Sequence, residues 1–156
     1  MKQKPLSFKN AIIYLVFLCC SVVQAQSFDF AVDHAALVVS DADKSAAFYG
    51  TILKLKEIPH PDKAKGFRWF TIHNNTQLHL IQKDSVVFSK DKSIHLCLAT
   101  DNLDLVIAHL EKHNITYWDW PGNKNSVTNR SDGVRQIYIQ DPDNYWIEIN
   151  TAPHKR

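Results

Sequence analysis

The sequence predicts an α+β fold built from two tandem βαβββ modules that share one open, eight-stranded cavity. Three observations carry this. The chain spells out the order strand, helix, three strands twice. Polar residues recur at matched places: His34 and His95 in the opening strands, with Asp43 and Asp104 each nine residues later. At the closing strands, His79 lies four residues after Asn75, and Glu148 lies four after Asn144.

The first module, about residues 31–83, opens with a strand over Val32–Val39. Ser40 or Asp41 is placed to cap a helix whose buried stripe is Ala46, Tyr49, Ile52 and Leu53. The segments LKEIPHP, FRWFTIH and QLHLIQ read as strands, separated by Pro59, Pro61, Gly66 and an Asn74–Asn75 turn. The second module, about 93–150, opens with SIHLCLAT. Its helix is capped at Thr100 or Asp101 and buries Leu103, Val106, Ile107 and Leu110. ITYWDW, RQIYIQ and YWIEIN supply the remaining strands. The polar stretch PGNKNSVTNRSDG reads as a long loop, a feature more often functional than structural.

Charge divides the chain before the repeat begins. Lys2, Lys4 and Lys9 precede the uncharged run AIIYLVFLCCSVV, which ends at QAQSF. A basic start, a short apolar stretch and a small residue at Ala25 are the pattern of a secretory signal peptide over residues 1–25. The expected mature chain is one domain, 26–156, exported to a periplasmic or extracellular space and free of the membrane once the leader is cleaved; an uncleaved N-terminal anchor is the alternative. Removing three lysines and no acid leaves 15 basic against 16 acidic residues, a net of −1. The full chain's formal net charge of +2 is already too small to suggest nucleic acid or an anionic membrane as partner. Cys19 and Cys20 leave with the leader, so Cys97 has no partner for an intramolecular disulfide and no Cys-based zinc site can form.

Strand parity then sorts the chemistry. His34 alternates with Ala35, His79 lies opposite Leu78 and Leu80, and Glu148 lies opposite Ile147 and Ile149. Each polar residue faces away from the most hydrophobic side, as in a sheet with helices on one face and a working cavity on the other. Three imidazoles and a carboxylate brought to one cavity desolvate and repel one another unless something compensates. A divalent metal is the simplest compensation.

The stretches DHAALVVSDADKSAAFYGTIL, QLHLI, IHLCLATDNLDLVIAHL and RQIYIQDPDNYWIEIN, within about residues 32–150, resemble the vicinal oxygen chelate superfamily. That group includes glyoxalase I, bleomycin-resistance proteins and extradiol dioxygenases. The resemblance implies paired βαβββ modules and metal ligation by His34, His79, His95 and Glu148. Glyoxalase I commonly has glutamate where this chain has His79, which leaves Glu148 as the carboxylate for catalysis. His34, His95 and Glu148 match a two-histidine, one-carboxylate set suited to Fe(II), Mn(II), Zn(II) or Ni(II). In Asp-Pro-Asp-Asn, Asn144 replaces the usual glycine, and asparagine tolerates the left-handed backbone of such a turn.

The activity so implied is a metal-dependent, lactoylglutathione lyase-like reaction on a small oxygen-bearing substrate. Two alternatives stand beside it: a metal-free binding or sequestering protein of the same fold, and an extradiol-type dioxygenase. Small members of the superfamily pair as homodimers, and some build the site from two chains. Arg135 is expected to be solvated or paired with Asp141. Cys97 is expected to be a small buried filler. Trp118, Trp120 and Trp146 lie either in the core or along the cavity.

Overall fold

The computed structural model describes residues 30–86 and 91–154; the leader expected over 1–25 lies outside them. Among the described residues no helix is long and apolar enough to cross a membrane. A compact unit begins at Val32.

The doubled plan is present in full. In the first module β1 (His34–Val39), α1 (Ala42–Thr51), β2 (Lys56–Ile58), β3 (Phe67–His73) and β4 (Thr76–Gln82) form a sheet of order β1-β4-β3-β2. In the second, β5 (His95–Ala99), α2 (Leu103–Lys112), β6 (Thr128–Asn129), β7 (Arg135–Gln140) and β8 (Trp146–Asn150) form the order β5-β8-β7-β6. The first and last strands of each module run parallel because the helix carries the chain back across the sheet. The registers match as well. Ala36 pairs with His79 and Trp69 with His79; in the second copy Cys97 and Tyr138 pair with Glu148.

Alternation decides what each sheet buries. Val39, Phe70, Leu78 and Leu80 join Ile137, Ile139, Ile147 and Ile149 in one hydrophobic core, closed by Tyr49, Leu103 and Leu110 from the helices. His34, His79, His95 and Glu148 project from the opposite parity of their strands.

Local chemistry sets the boundaries. Asp41 caps α1, its carboxylate accepting from the backbone of Asp43 and Lys44. The cap of α2 is Asn102, one residue beyond Asp101 and two beyond Thr100, the two caps expected. Its amide oxygen accepts from Leu105 at 3.0 Å, and the Thr100 hydroxyl instead receives the Asn102 N–H. Asn144 has φ 66°, so it fills the left-handed turn position expected of it. ITYWDW is not a strand. The Asp119 carboxylate accepts from the backbone of Gly122 and Asn123 and folds the chain into a turn there, leaving Trp118 with isolated bridges to Lys124 and Tyr138. The edge-strand role passes to Thr128–Asn129 within the polar loop. Arg135 binds Asp104, not Asp141, through two contacts of 2.8 and 3.0 Å. Arg68 likewise joins Asp43 of α1 and Glu57 of β2. These pairs are exposed, and solvent screening leaves them little weight in stability.

The modules are joined by buried polar contacts. Ser40 donates its hydroxyl to Asp143 Oδ1 at 2.5 Å and its N–H to Oδ2 at 3.1 Å. The Tyr49 hydroxyl donates to Asp141 Oδ2 at 2.9 Å, and the Tyr145 hydroxyl donates to the Val38 carbonyl at 2.9 Å. Burial raises the Asp141 pKa above the usual carboxylate value, although hydrogen bonds from the Tyr145 backbone and Tyr49 pull the other way.

Two outcomes follow from this junction. Tyr49→Phe removes the one donor to Asp141 Oδ2 that comes from the other module, and should cost roughly 1–3 kcal/mol in urea unfolding. Because the folded state holds the Asp141 proton more tightly than the unfolded chain, the contribution of this group is fully present below the unfolded value near pH 4. It is lost as pH rises through the folded value. The stability difference between wild type and Asp141→Asn, measured by urea unfolding from pH 4 to pH 7, should therefore move in favour of the variant as pH rises.

Candidate functional site

The second module carries the better-formed cluster. β5 and β8 run parallel with Cys97 beside Glu148, and β7 sets Tyr138 on the other flank of Glu148. Glu148 is 6% exposed, and each oxygen of its carboxylate is engaged. Oε2 accepts from the Tyr138 hydroxyl at 2.5 Å, and Oε1 accepts from Asn150 Nδ2 at 2.7 Å. His95 Nε2 lies 3.2 Å from Oε2. Burial pushes the Glu148 pKa up, but hydrogen bonds from Tyr138 and Asn150 and the nearby His95 outweigh it, and the net shift is downward. Glu148 is therefore a carboxylate at neutral pH. Burial and the same carboxylate raise the Tyr138 pKa far above its usual value, which keeps the phenol a donor.

The other nitrogen of His95, Nδ1, is 2.8 Å from the Lys92 carbonyl oxygen. A carbonyl only accepts, so Nδ1 carries the hydrogen in this assignment. Nε2 and Oε2 then face each other as two electron-rich atoms unless a proton or a cation lies between them. Ligands about 2.1 Å from one ion and roughly 100° apart stand about 3.2 Å from each other. The pair therefore fits two places in a divalent coordination sphere, and the tie from Nδ1 to a carbonyl is the usual outer support of a ligating histidine.

The first module arranges its pair differently. The His34 and His79 rings stack with centroids 4.2 Å apart and planes at 16°, and His79 stacks in turn on Trp69 at 3.9 Å. His79 Nε2 contacts Gln77 Oε1 at 2.9 Å, and His34 Nδ1 contacts Asp33 at 2.7 Å. Stacked imidazoles direct their in-plane lone pairs side by side, so these rings do not aim at one ion unless a ring turns. Burial, then the neighbouring His34, lowers the His79 pKa, so that ring is neutral at pH 7. The four side chains expected to converge thus lie as two pairs, His34 with His79 and His95 with Glu148. Among the described residues no three histidine, cysteine, aspartate or glutamate side chains form a group able to hold a metal.

Several contributors escaped the sequence reading. Asn150 stands two residues beyond Glu148 on β8 and Tyr138 lies directly across from Glu148 on β7, so the two-residue alternation of these strands was the signal for them. Lys92 had no such signal. Its ammonium lies 5.1 Å from the Tyr138 ring centroid and 5.5 Å from those of Trp120 and Trp146, and donates to the Asp119 carbonyl at 2.8 Å. Trp120 and Trp146 therefore flank this site and are not core residues. Cys97 is exposed, not a buried filler, and its sulfur accepts from Asn150 Nδ2 at 3.2 Å. Burial and Glu148 push its thiol up to about 11, so it is no thiolate nucleophile at neutral pH.

Known proteins share this architecture. A protein from Bacillus subtilis (strain 168), YwbC, is 32% identical over 124 residues, covering 76% of this chain and 94% of that protein. The solved structure of the oxidase ChaP-H2 matches with a TM-score of 0.64 at 22% identity, covering 81% of this chain and 97% of that one. A lactoylglutathione lyase from Agrobacterium tumefaciens matches with a TM-score of 0.61 at 19% identity, covering 81% and 96%. At such identities the two structures speak for the fold alone. The sequence profile of the Glyoxalase/Bleomycin resistance protein/Dioxygenase superfamily matches residues 31–149, and with its repeated βαβββ modules the chain belongs to that superfamily.

Proposed function

We propose that this protein is a metal-dependent, glyoxalase-like lyase or isomerase, exported from the cytoplasm, that acts on a small oxygen-bearing molecule. The observation that carries the reading is the 3.2 Å approach of His95 Nε2 to Glu148 Oε2, with Nδ1 already committed to a carbonyl. Two electron-rich atoms held this close require positive charge between them. A divalent cation bound there would supply that charge and polarise neighbouring oxygen atoms of a substrate.

The chain's own residues would do the rest. Glu148 is the base in reach of the site, with its carboxylate ionised and its position fixed by Tyr138 and Asn150. A proton taken by Glu148 at one carbon and returned at the next is an isomerisation. Trp120, Trp146 and Tyr138 offer apolar faces that exclude water, and Lys92 places a cation over them. In this proposal His34 and His79 complete the ligand set from a second copy of the chain, with one ring turned out of the stack that the two form. A small-molecule receptor without metal is the second reading, favoured by the His34–His79–Trp69 stack, whose lone pairs do not converge.

Elemental analysis separates the two. Purified protein should carry close to one transition metal per chain, and His95→Ala and Glu148→Ala should each lose most of it. No metal in the wild type, with ligand binding unchanged in both variants, would establish the receptor.

Chain pairing has its own check. Co-purified His34→Ala and Glu148→Ala chains, selected through different tags, should recover about half the wild-type metal, since one of two shared sites is intact in the mixed dimer. Each variant alone should recover little. A site closed within one chain would leave the mixture as empty as its parents.

A further inference from the structure

The seam between the modules has two ends related by the repeat, and they are unlike. Residues of α2 follow their counterparts in α1 by 61 positions, and β8 and the turn before it follow β4 by 69. At one end Asp141 and Asp143 reach Tyr49, Ser40 and Ser45. The same offsets put Ile72 and Asn74 where the aspartates stand, and Leu110 and Val106 where Tyr49 and Ser45 stand. The tyrosine and serine of the helix have apolar counterparts there, and the counterpart of Ser40 is Asp101. A cavity of about 480 Å3 opens there, with Ile72, Leu98, Val106 and Ile149 among its apolar walls. Volumes of this size are those of sites for small organic ligands.

Apart from the Cys97 thiol, the titratable side chains lining the cavity are nitrogen bases. Lys54, His73, His109 and His154 line it, and no acidic side chain does. The His73 and His154 rings stand 6.1 Å apart at the rim. Asp101, outside the lining, has its Oδ1 3.9 Å from His154 Nε2. An apolar interior under a basic rim selects a hydrocarbon body with an anionic end.

We propose that this cavity is a second binding site, separate from His95 and Glu148, for a small apolar carboxylate. The hydrocarbon lies on Ile72, Leu98, Val106 and Ile149, and the carboxylate faces His73 and His154. The site needs neither a metal nor a second chain.

Calorimetric titration of the full chain with octanoate, with octanol as the uncharged control, tests this. Octanoate should bind about tenfold more tightly than octanol. Val106→Phe, which fills the cavity, should weaken octanoate about tenfold or more. Leu105→Glu should weaken it too. Leu105 lines the mouth and is 68% exposed, so its replacement leaves the core alone if Val106→Phe fails to fold. His95→Ala should bind octanoate as the wild type does, whatever its metal content. Absence of octanoate binding, equal binding of octanol, or undiminished binding to Leu105→Glu would overturn the proposal. Loss of binding in His95→Ala would overturn it as well, by placing the ligand at the other site.

Discussion

Two buried carboxylates from one module, answered by hydroxyls of the other, are the constraint on which the arrangement rests. Asp141 and Asp143 are 5% and 6% exposed, and a buried carboxylate is tolerated only where donors replace water. The turn supplies some of these itself: Asp141 Oδ1 accepts from the backbone of Asp143 and Tyr145. The others come from Ser40 at the end of β1 and from Tyr49 on α1. The first module must therefore sit where those donors reach. Glu148 lies only five residues beyond Asp143 on a paired strand, so the junction that aligns the modules also fixes the height of the candidate base.

Much of this was legible because it rests on period. Alternation placed His34, His79, His95 and Glu148 on one parity of their strands, and the repeat placed them at equivalent positions before any contact was known. Asn144 could be read because few residues accept a left-handed backbone. Capping was read to within a residue: Asp41 was named, while Asn102 lost to Thr100 and Asp101 because several polar residues in a row offer the same chemistry. ITYWDW failed for a different reason. Its composition favours a strand, but the Asp119 carboxylate binds two backbone N–H groups three and four residues ahead and turns the chain.

Side-chain pairing was less legible than strand position. Arg135 was read as solvated or paired with Asp141, yet it binds Asp104 at the start of α2. The cluster around Glu148 shows the same limit. Period places Tyr138 and Asn150 on its face, but that both donate to its carboxylate depends on rotamers, which no periodicity encodes. Lys92 lies outside any strand, so only the folded chain brings its ammonium over three aromatic rings.

The two halves have diverged in charge more than in shape. At positions matched by the repeat, one strand carries neutral His79 and the other anionic Glu148. In the proposed assembly the set of three imidazoles and one carboxylate brings a single negative charge to a divalent ion, leaving one unit of positive charge. A glutamate in place of His79 would cancel it. Residual positive charge in a low-dielectric cleft strengthens attraction for an oxygen anion, whether bound as such or formed as a proton leaves. It also lowers the basicity of Glu148, the group asked to take that proton. On that proposal His79 would trade basicity at the one carboxylate for stronger hold on an anionic substrate. The chemistry this proposal would favour is removal of an already acidic proton, next to a carbonyl, rather than of an unactivated one.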